Sequence, residues 1–548
     1  MGTGRSTRAR IIPLSGIAPR FVAYEGLVAA AVVLLGSVLA FAGLTDTGIH
    51  PPPATGAFAY NSFAPSLSPG TAYVDPVFGE TVRRLSADHG YDDIYARNMW
   101  WDASETRYLH RTNGVPGKAD NWDVIDIATG TVTHTGIPFG TFAFDGGFDP
   151  VNADVLYYLV QDRGDGHGEI HQVTLKPGGA WSDVVYFTAP GALSELGGTL
   201  NWLDASGRYM VVRYGAEPSV HLYDRQNLSA GPYANPIDGR NYIDTGAYIG
   251  LSPDGQFLVG FDGRAVGYSG VGQGVSWKLD HTNRAIAAGP TIFWSLCGDH
   301  GSFLSASDGR NYMVTNDCYS QAGVWRVDIT NNAVGLNEAQ QQVLPNNKLL
   351  LGYPSWNDGN HMSTVARGAL RDWAFVSTED GTDTFNGGVT NWHAYRQEII
   401  AINVLTGETR RLAHHRSRSV DSQYYYQPRL SASWGGAYVG WASNFNQPGA
   451  VDIYAIPFGA SATVGPVSAP RSKTFTVPPC RVLDTRVSNP AGRVAAGATR
   501  SILLKGDLTK GGTVNQGGAP TCGVPNAATG AYANVVAVNA AGPGFVTV

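Results

Sequence analysis

A strand–turn–strand unit recurs along this chain, and it dictates most of what the chain can become. Residues 248–280 show it best: YIGLSPDGQFLVGFDG, a glycine-rich loop, then GVSWKLD. An apolar run enters the turn Ser252-Pro253-Asp254-Gly255 and leaves as a second run, 257–261, with a third at 275–279. Short alternating runs separated by tight-turn residues predict strands rather than helices. The turn has its own chemistry. Pro presets φ, Asp bonds the local backbone, and Gly accepts positive φ. One such unit cannot cover both faces of its sheet, so it needs neighbours.

The neighbours are present. Comparable units begin at 99 (MWWDASETRYLH), 148 (FDPVNADVLYYLV), 201 (NWLDASGRYMVVRY), 300 (HGSFLSASDGRNYMV), 361 and 427 (QPRLSASWGGAYVGWAS), which with 248–280 makes seven copies. A further apolar strand follows each of them. The spacing, about 45 to 65 residues, is that of propeller blades. The expected fold is all-β: a seven-bladed β-propeller over 76–458 with a small C-terminal β domain. The seventh copy ends at Phe458, one strand short. Residues 78–86 (FGETVRRLS) match the outer strand of blade six, 405–413 (LTGETRRLA). This N-terminal strand is expected to complete the last blade and join the ends of the ring.

Outside the ring the composition shifts. Residues 1–44 hold Arg5, Arg8, Arg10 and Arg20, then an uncharged apolar run, 27–44. They read as an export signal with a long basic leader, cleaved near Ala40-Phe41-Ala42, or as an uncleaved single-span anchor. Either reading places the rest of the chain outside the cytoplasm, secreted or anchored at the cell surface. Membrane contact is then expected only through this segment, if it is uncleaved. Residues 45–75, rich in Pro, Ser, Gly and Ala, read as a spacer. The net charge of −6, with no basic stripe, argues against a nucleic-acid partner. Four cysteines fall into two local pairs, Cys297 with Cys318 and Cys480 with Cys522. An even count in an exported chain favours two disulfides, and free buried thiols are the alternative.

After a linker, 459–476, residues 477–548 carry CRVLDTR from Cys480 and CGVP from Cys522. These motifs resemble a β-rich module found at the C-termini of bacterial surface and secreted proteins. That module runs on past a strand like 532–538, so the one here is expected to be truncated. The propeller resembles TolB-type and oligogalacturonate-lyase-type bacterial propellers. The resemblance lies in LSPDGQFLVG from Leu251, SASDGRNYMV from Ser305, VIDIATG from Val124 and IAINVLTG from Ile400. It speaks for fold; one scaffold hosts many functions.

The lyase resemblance implies a divalent cation, manganese or calcium, held by histidines and a glutamine at the axial ends of inner strands. Here His300, His361 and Gln427 take those places, and Arg429 is the candidate catalytic group, clamping a substrate carboxylate. This chain lacks the further histidines that the lyase pattern puts after the glutamine. Two imidazoles and an amide are few ligands for a transition metal, and no motif requires a cofactor. Axial histidines also serve simply to bond carbonyls across the hub. Trp100, Trp101, Trp392, Tyr395 and Tyr425 are candidate ligand-binding aromatics beside Gln427 and Arg429. Inter-blade packing is the alternative for at least half of the aromatic clusters they belong to. The insert 379–395 is long and glycine-rich and is expected to overhang one face. His414-His415-Arg416 reads as a solvated turn, with a place on the rim near a ligand as the alternative, and 162–169 as a polar hairpin rather than a calcium loop. No nucleophile elbow, phosphate loop or H-E-x-x-H is present. Two functions lead: a recognition propeller binding an extracellular glycan or protein ligand, and a polysaccharide lyase acting on uronate oligosaccharides; an envelope assembly factor like TolB is a third, which the tail module disfavours.

Overall fold

The computed structural model describes residues 68–459 except 91–94, 114, 116, 142–145, 197–200, 216–218, 239–247, 263–271, 297–299, 318–322, 353–360, 381–384, 386–390, 393, 421 and 450; beyond these bounds it describes the backbone of residues 8–9, 44–46, 58–59 and 502–503. The chain divides into two compact units, 36–465 and a second made of 1–35 with 466–548. In the second, Arg8–Ala9 pairs antiparallel with Ile502–Leu503. The cysteine pairs, the CRVLDTR and CGVP motifs and nearly all of the apolar run 27–44 lie outside the described residues. Among the described residues no helix is long and apolar enough to cross a membrane.

The larger unit is a seven-bladed β-propeller. Blade one holds Arg107–Arg111, Asn121–Asp126 and Val132–Pro138; its innermost position is a single bridge, Trp101 to Tyr108. Blade two runs Gly147–Phe148, Val155–Val160, Glu169–Leu175, Trp181–Thr188, and blade three Leu193–Ser194, Tyr209–Tyr214, Ser219–Asp224, Ile237–Asp238. In blade four, Tyr248–Leu251, Phe257–Asp262 and Gln273–Asp280 are followed by two short strands that both pair with the third. Blade five is Gly301–Ser305, Asn311–Asp317, Gly323–Asp328, Lys348–Gly352. Blade six is His361–Thr364, Trp373–Ser377, Glu398–Asn403, Thr409–His414, and blade seven has Ser431–Ala432, Tyr438–Ser443 and Asp452–Pro457. The fourth strand of blade seven is Thr81–Arg84, which pairs with Asp452–Pro457 and closes the ring as expected.

The expected spacer 45–75 also contributes sheet. Ala72–Val74 lies outside Thr81–Arg84 on blade seven, and Leu44–Asp46 lies outside Thr409–His414 on blade six. Both cover an edge that would otherwise expose unpaired backbone, a role that composition does not reveal.

The repeated turn works as its residues suggest. Asp102 accepts the N–H groups of Thr106 and Arg107 at 2.8 and 2.9 Å. Asp204 accepts Tyr209 N–H at 2.7 Å, and the Ser252 and Ser433 hydroxyls accept Phe257 and Tyr438 N–H, each at 3.0 Å. Gly255 takes the left-handed φ of +68° that closes the turn. These turns also join blade to blade. Arg107 meets Asp154 at 3.0 Å, Arg225 meets Asp149 at 3.1 Å, Ala205 N–H donates to Pro253 at 3.0 Å, and Asn311 donates to Asp254 at 2.8 Å. Ser307 N–H donates to Asp372 at 2.6 Å, Ala432 N–H to Ser363 at 2.9 Å, and Gly435 N–H to Glu105 at 2.7 Å. The circle of contacts is complete. Large side chains fill the spaces between sheets, with Trp101, Trp122, Trp202, Trp277, Trp294, Trp434 and Trp441 all buried. Burial of this kind is the dominant stabilising term.

Candidate functional site

Inner strands of a propeller run side by side along the hub, so their first residues share one face. His361 opens the inner strand of blade six, Tyr248 that of blade four, and His300 immediately precedes that of blade five. Arg429 stands two residues before the inner strand of blade seven. Tyr95 stands three before the short turn Asn98–Trp100 that leads into blade one.

These residues meet. The rings of His300 and His361 lie 4.6 Å apart between centroids, at 63°. Tyr95 sets its ring edge-on to His361 at 5.4 Å. The Tyr95 hydroxyl is hydrogen-bonded to Tyr424 and lies in the field of Arg429 and Tyr248; burial first, then Tyr424, raises its pKa well above the ordinary phenol value. Tyr95 therefore stays protonated throughout the physiological range. The Arg429 guanidinium lies 4.7 Å from the centroid of Tyr424, a cation–π distance. Gly301 lets blade five come close: a Cβ there would stand 3.2 Å from the Tyr248 hydroxyl and 2.3 Å from Met313 Cε. His361 Nδ1 meets Glu379 at 2.9 Å, both side chains buried. A carboxylate thus fixes the ring of the histidine, as it commonly does for imidazoles with a functional face.

Burial divides the cluster. Arg429 is fully buried, His361, Tyr95 and Tyr248 nearly so, and His300 and Gln427 are half-buried. Tyr424 is 47% exposed and is the outermost of them. Gln427 ends the short turn Tyr424–Tyr426 through its N–H to the Tyr424 carbonyl, 3.2 Å. Tyr425 packs edge-on against Tyr426 at 4.8 Å.

Other expected site residues lie elsewhere. Trp100 and Trp101 are buried between sheets: Trp100 against Trp122 at 5.1 Å, Trp101 stacked on Tyr438 at 5.9 Å and donating to Ser431 at 3.0 Å. Their faces are covered by protein, so packing takes the place of the ligand contact expected of them. Tyr395 is wholly buried with Arg411 over its ring at 5.3 Å, which likewise removes it from solvent. The backbone of Trp392 pairs with Phe58; its side chain lies outside the described residues.

The solvated turn expected at His414-His415-Arg416 is instead buried. His415 Nε2 donates to the Thr378 carbonyl at 2.8 Å, and its Nδ1 accepts Ser417 N–H at 3.1 Å. Burial lowers its pKa to about 3. His414 is held well below the usual histidine range by burial and then by Arg416. The reason is coverage. Residues 415–430 fold over blades six and seven, tied by Arg418 N–H to Asn444 at 2.9 Å and by Gly449 N–H to the Tyr426 hydroxyl at 2.8 Å. Backbone strain gathers here as well. Tyr395, Gln397, Arg416, Ser419, Arg429, Phe445 and Asn446 all have positive φ, seven of the twelve such non-glycine residues described. Strain of this kind concentrates at functional sites. The 162–169 stretch is a polar hairpin, with Asp162 accepting Gly164 and Gly166 N–H at 2.7 and 2.9 Å.

Among the described residues no group of three or more His, Cys, Asp or Glu side chains stands together as metal ligands. Glu379 is engaged by His361, Glu398 by Arg411 at 2.7 Å and Asp380 by Arg396 at 2.6 Å. A buried guanidinium in the same cluster further opposes a cation.

Sequence reasoning missed Tyr95, Glu379 and the role of Tyr424. Aligning the residues just before each inner strand would have raised Tyr95; nothing local marks Glu379.

Comparison with known proteins gives fold-level likeness alone. No protein-family profile matches the chain and no curated protein does. The TolB-type label and the C-terminal surface module suggested by the motifs thus find no support. Among solved structures, an oligogalacturonate lyase in complex with manganese is 13% identical, with TM-score 0.46, over 71% of this chain and 96% of that one. An oligogalacturonate lyase from Vibrio parahaemolyticus is 12% identical, with TM-score 0.44, over 71% and 97%. A prolyl endopeptidase is 14% identical, with TM-score 0.37, over 73% and 56%. At these values the likeness says nothing about chemistry.

Proposed function

We propose that the propeller is an exported recognition module that binds an acidic glycan at its axial face. The observation that carries this is the placement of Arg429. It is a fully buried guanidinium 4.7 Å from the ring of half-exposed Tyr424, in one cluster with His300 and His361. A guanidinium pairs with a carboxylate in fixed geometry. An exposed aromatic ring beside it offers a face to a sugar. Calorimetric titration with a short oligogalacturonate and with a neutral oligosaccharide of equal length tests the reading. The acidic ligand alone should bind. Tyr424→Ala, at a half-exposed position, should keep the melting temperature and weaken binding by about 1 kcal/mol, roughly fivefold. Equal binding of the two ligands, or none, ends the reading.

A second reading, a lyase acting on the same ligand class, is favoured by the imidazole pair His300 and His361 with Glu379 behind it. Absorbance of unsaturated product from oligogalacturonate with manganese present, lost in His300→Ala, would replace simple recognition with this activity.

A further inference from the structure

We propose that the axial cluster is the wall of a cup closed at its base, and that the cup takes the end of an acidic chain rather than a stretch threaded through the ring. This rests on the acidic-glycan reading above. Wall and floor follow one spacing. In five blades the cluster residue stands three positions before a residue bonded to a neighbouring inner strand or across the hub. The pairs are Tyr95 with Asn98, Tyr248 with Leu251, His300 with Phe303, His361 with Thr364, and Arg429 with Ala432.

The floor is a layer of hydrogen bonds. Asn98 Nδ2 donates to the carbonyls of Thr364 and Ala432, at 2.9 Å each, so one side chain from blade one reaches blades six and seven together. Its Oδ1 accepts from Asn201 Nδ2 of blade three at 2.9 Å. The Asn201 carbonyl accepts Leu251 N–H of blade four at 3.2 Å. Thr364 Oγ1 donates to the Phe303 carbonyl and lies 2.9 Å from the Ser302 hydroxyl, which adds blade five. Where the three-residue stretch is strand, as at Tyr248–Leu251 and His361–Thr364, it puts this layer about 10 Å below the cluster.

A second crossing lies beyond it. Arg367, past the inner strand of blade six, donates to the carbonyls of Ala103 in blade one, at 2.9 Å, and Pro150 in blade two. It also lies over the Trp434 ring at 5.7 Å. Two polar layers therefore span the hub, and the side-chain bonds of Asn98 and Arg367 that cross it would be lost if a sugar chain passed. Such bonds are costly to leave unmade in a buried place. A ligand must enter and leave by the face that carries His300 and Tyr424. The residue that reaches Arg429 is then a terminal one.

The test uses the full protein and four probes: a short oligogalacturonate, the same with a bulky group coupled at its reducing end, the same capped at its non-reducing end, and long polygalacturonate of equal mass. Calorimetry should show one blocked form weakened roughly tenfold or more and the other close to the parent. The polymer should bind in proportion to its few ends. If both blocked forms keep the parental affinity, or the polymer binds equally per mass, the cup is overturned while acidic-glycan recognition stands. If the unblocked probe itself does not bind, both fall together.

Discussion

His361 Nδ1 and Glu379 Oε1 lie 2.9 Å apart, with both side chains almost wholly out of solvent. The pair joins the first residue of blade six's inner strand to the head of the long insert that follows its second strand. The orientation of an axial imidazole is therefore set by a carboxylate, whatever occupies the hub. Glu379→Ala would leave the imidazole without that acceptor in a buried place and should cost about 3 kcal/mol. Glu379→Gln keeps an acceptor and should cost less. Denaturant unfolding reads both, and an Ala variant as stable as the parent would show that the pair holds nothing.

Ring closure gives a second prediction. Arg84, on the closing strand, pairs with Asp452 of blade seven, both buried; Asp452 also accepts His89 N–H at 3.2 Å. Asp452→Ala removes the carboxylate that faces a buried guanidinium, leaving Arg84 its bond to the Ser86 carbonyl at 2.9 Å, and should destabilise the propeller by about 3 kcal/mol. The loss should appear as a lower urea midpoint with a similar slope.

Closure should also respond to pH. Burial raises the Glu80 carboxyl from 4.5 to about 7. Between those values the native protein holds a proton that the unfolded chain has released. Stability from this group therefore falls as pH rises through the window and is lowest above pH 7. Glu80→Gln should remove the slope and be the more stable protein at pH 8, by on the order of 1–3 kcal/mol. Melting curves from pH 4 to 8 decide it; parallel curves for the two proteins would refute it.

His221 runs the other way. It stacks on Tyr214 at 4.0 Å, and burial lowers its pKa from 6.5 to about 4. The unfolded chain takes up the proton first, so stability is lost as pH falls from 6.5 through 4. Its Nδ1 is buried without a hydrogen-bond partner among the described residues. His221→Phe should keep the stack, remove that polar atom and flatten the acid limb. Thermal unfolding at pH 5 should show the variant melting higher, and a lower melting point would count against the assignment.

Much of the ring was legible because its signals are local. Alternation and turn residues act over a few positions, so the seven units could be read one at a time, and 78–86 could be matched to 405–413. The meeting of His300 with His361 followed from counting blades. The destination of the aromatics was not legible. Trp101 and Tyr424 are both aromatics beside an inner strand, yet one ends between sheets and the other at the surface. That outcome depends on which neighbour covers each ring. His414 and His415 read as surface for the same reason: the loop that buries them comes from the chain that follows, folding back over blades six and seven.

What the chain's own order of residues determined, then, is the number of blades, the turn chemistry that caps them and the strand that closes the circle, since each needs only near neighbours or a repeated pattern. What the tertiary structure alone decided is the inside of the hub. Tyr95, Glu379, Asn98 and Arg367 gain their roles from partners far away in sequence. Closing the ring is what brings those partners within hydrogen-bond reach.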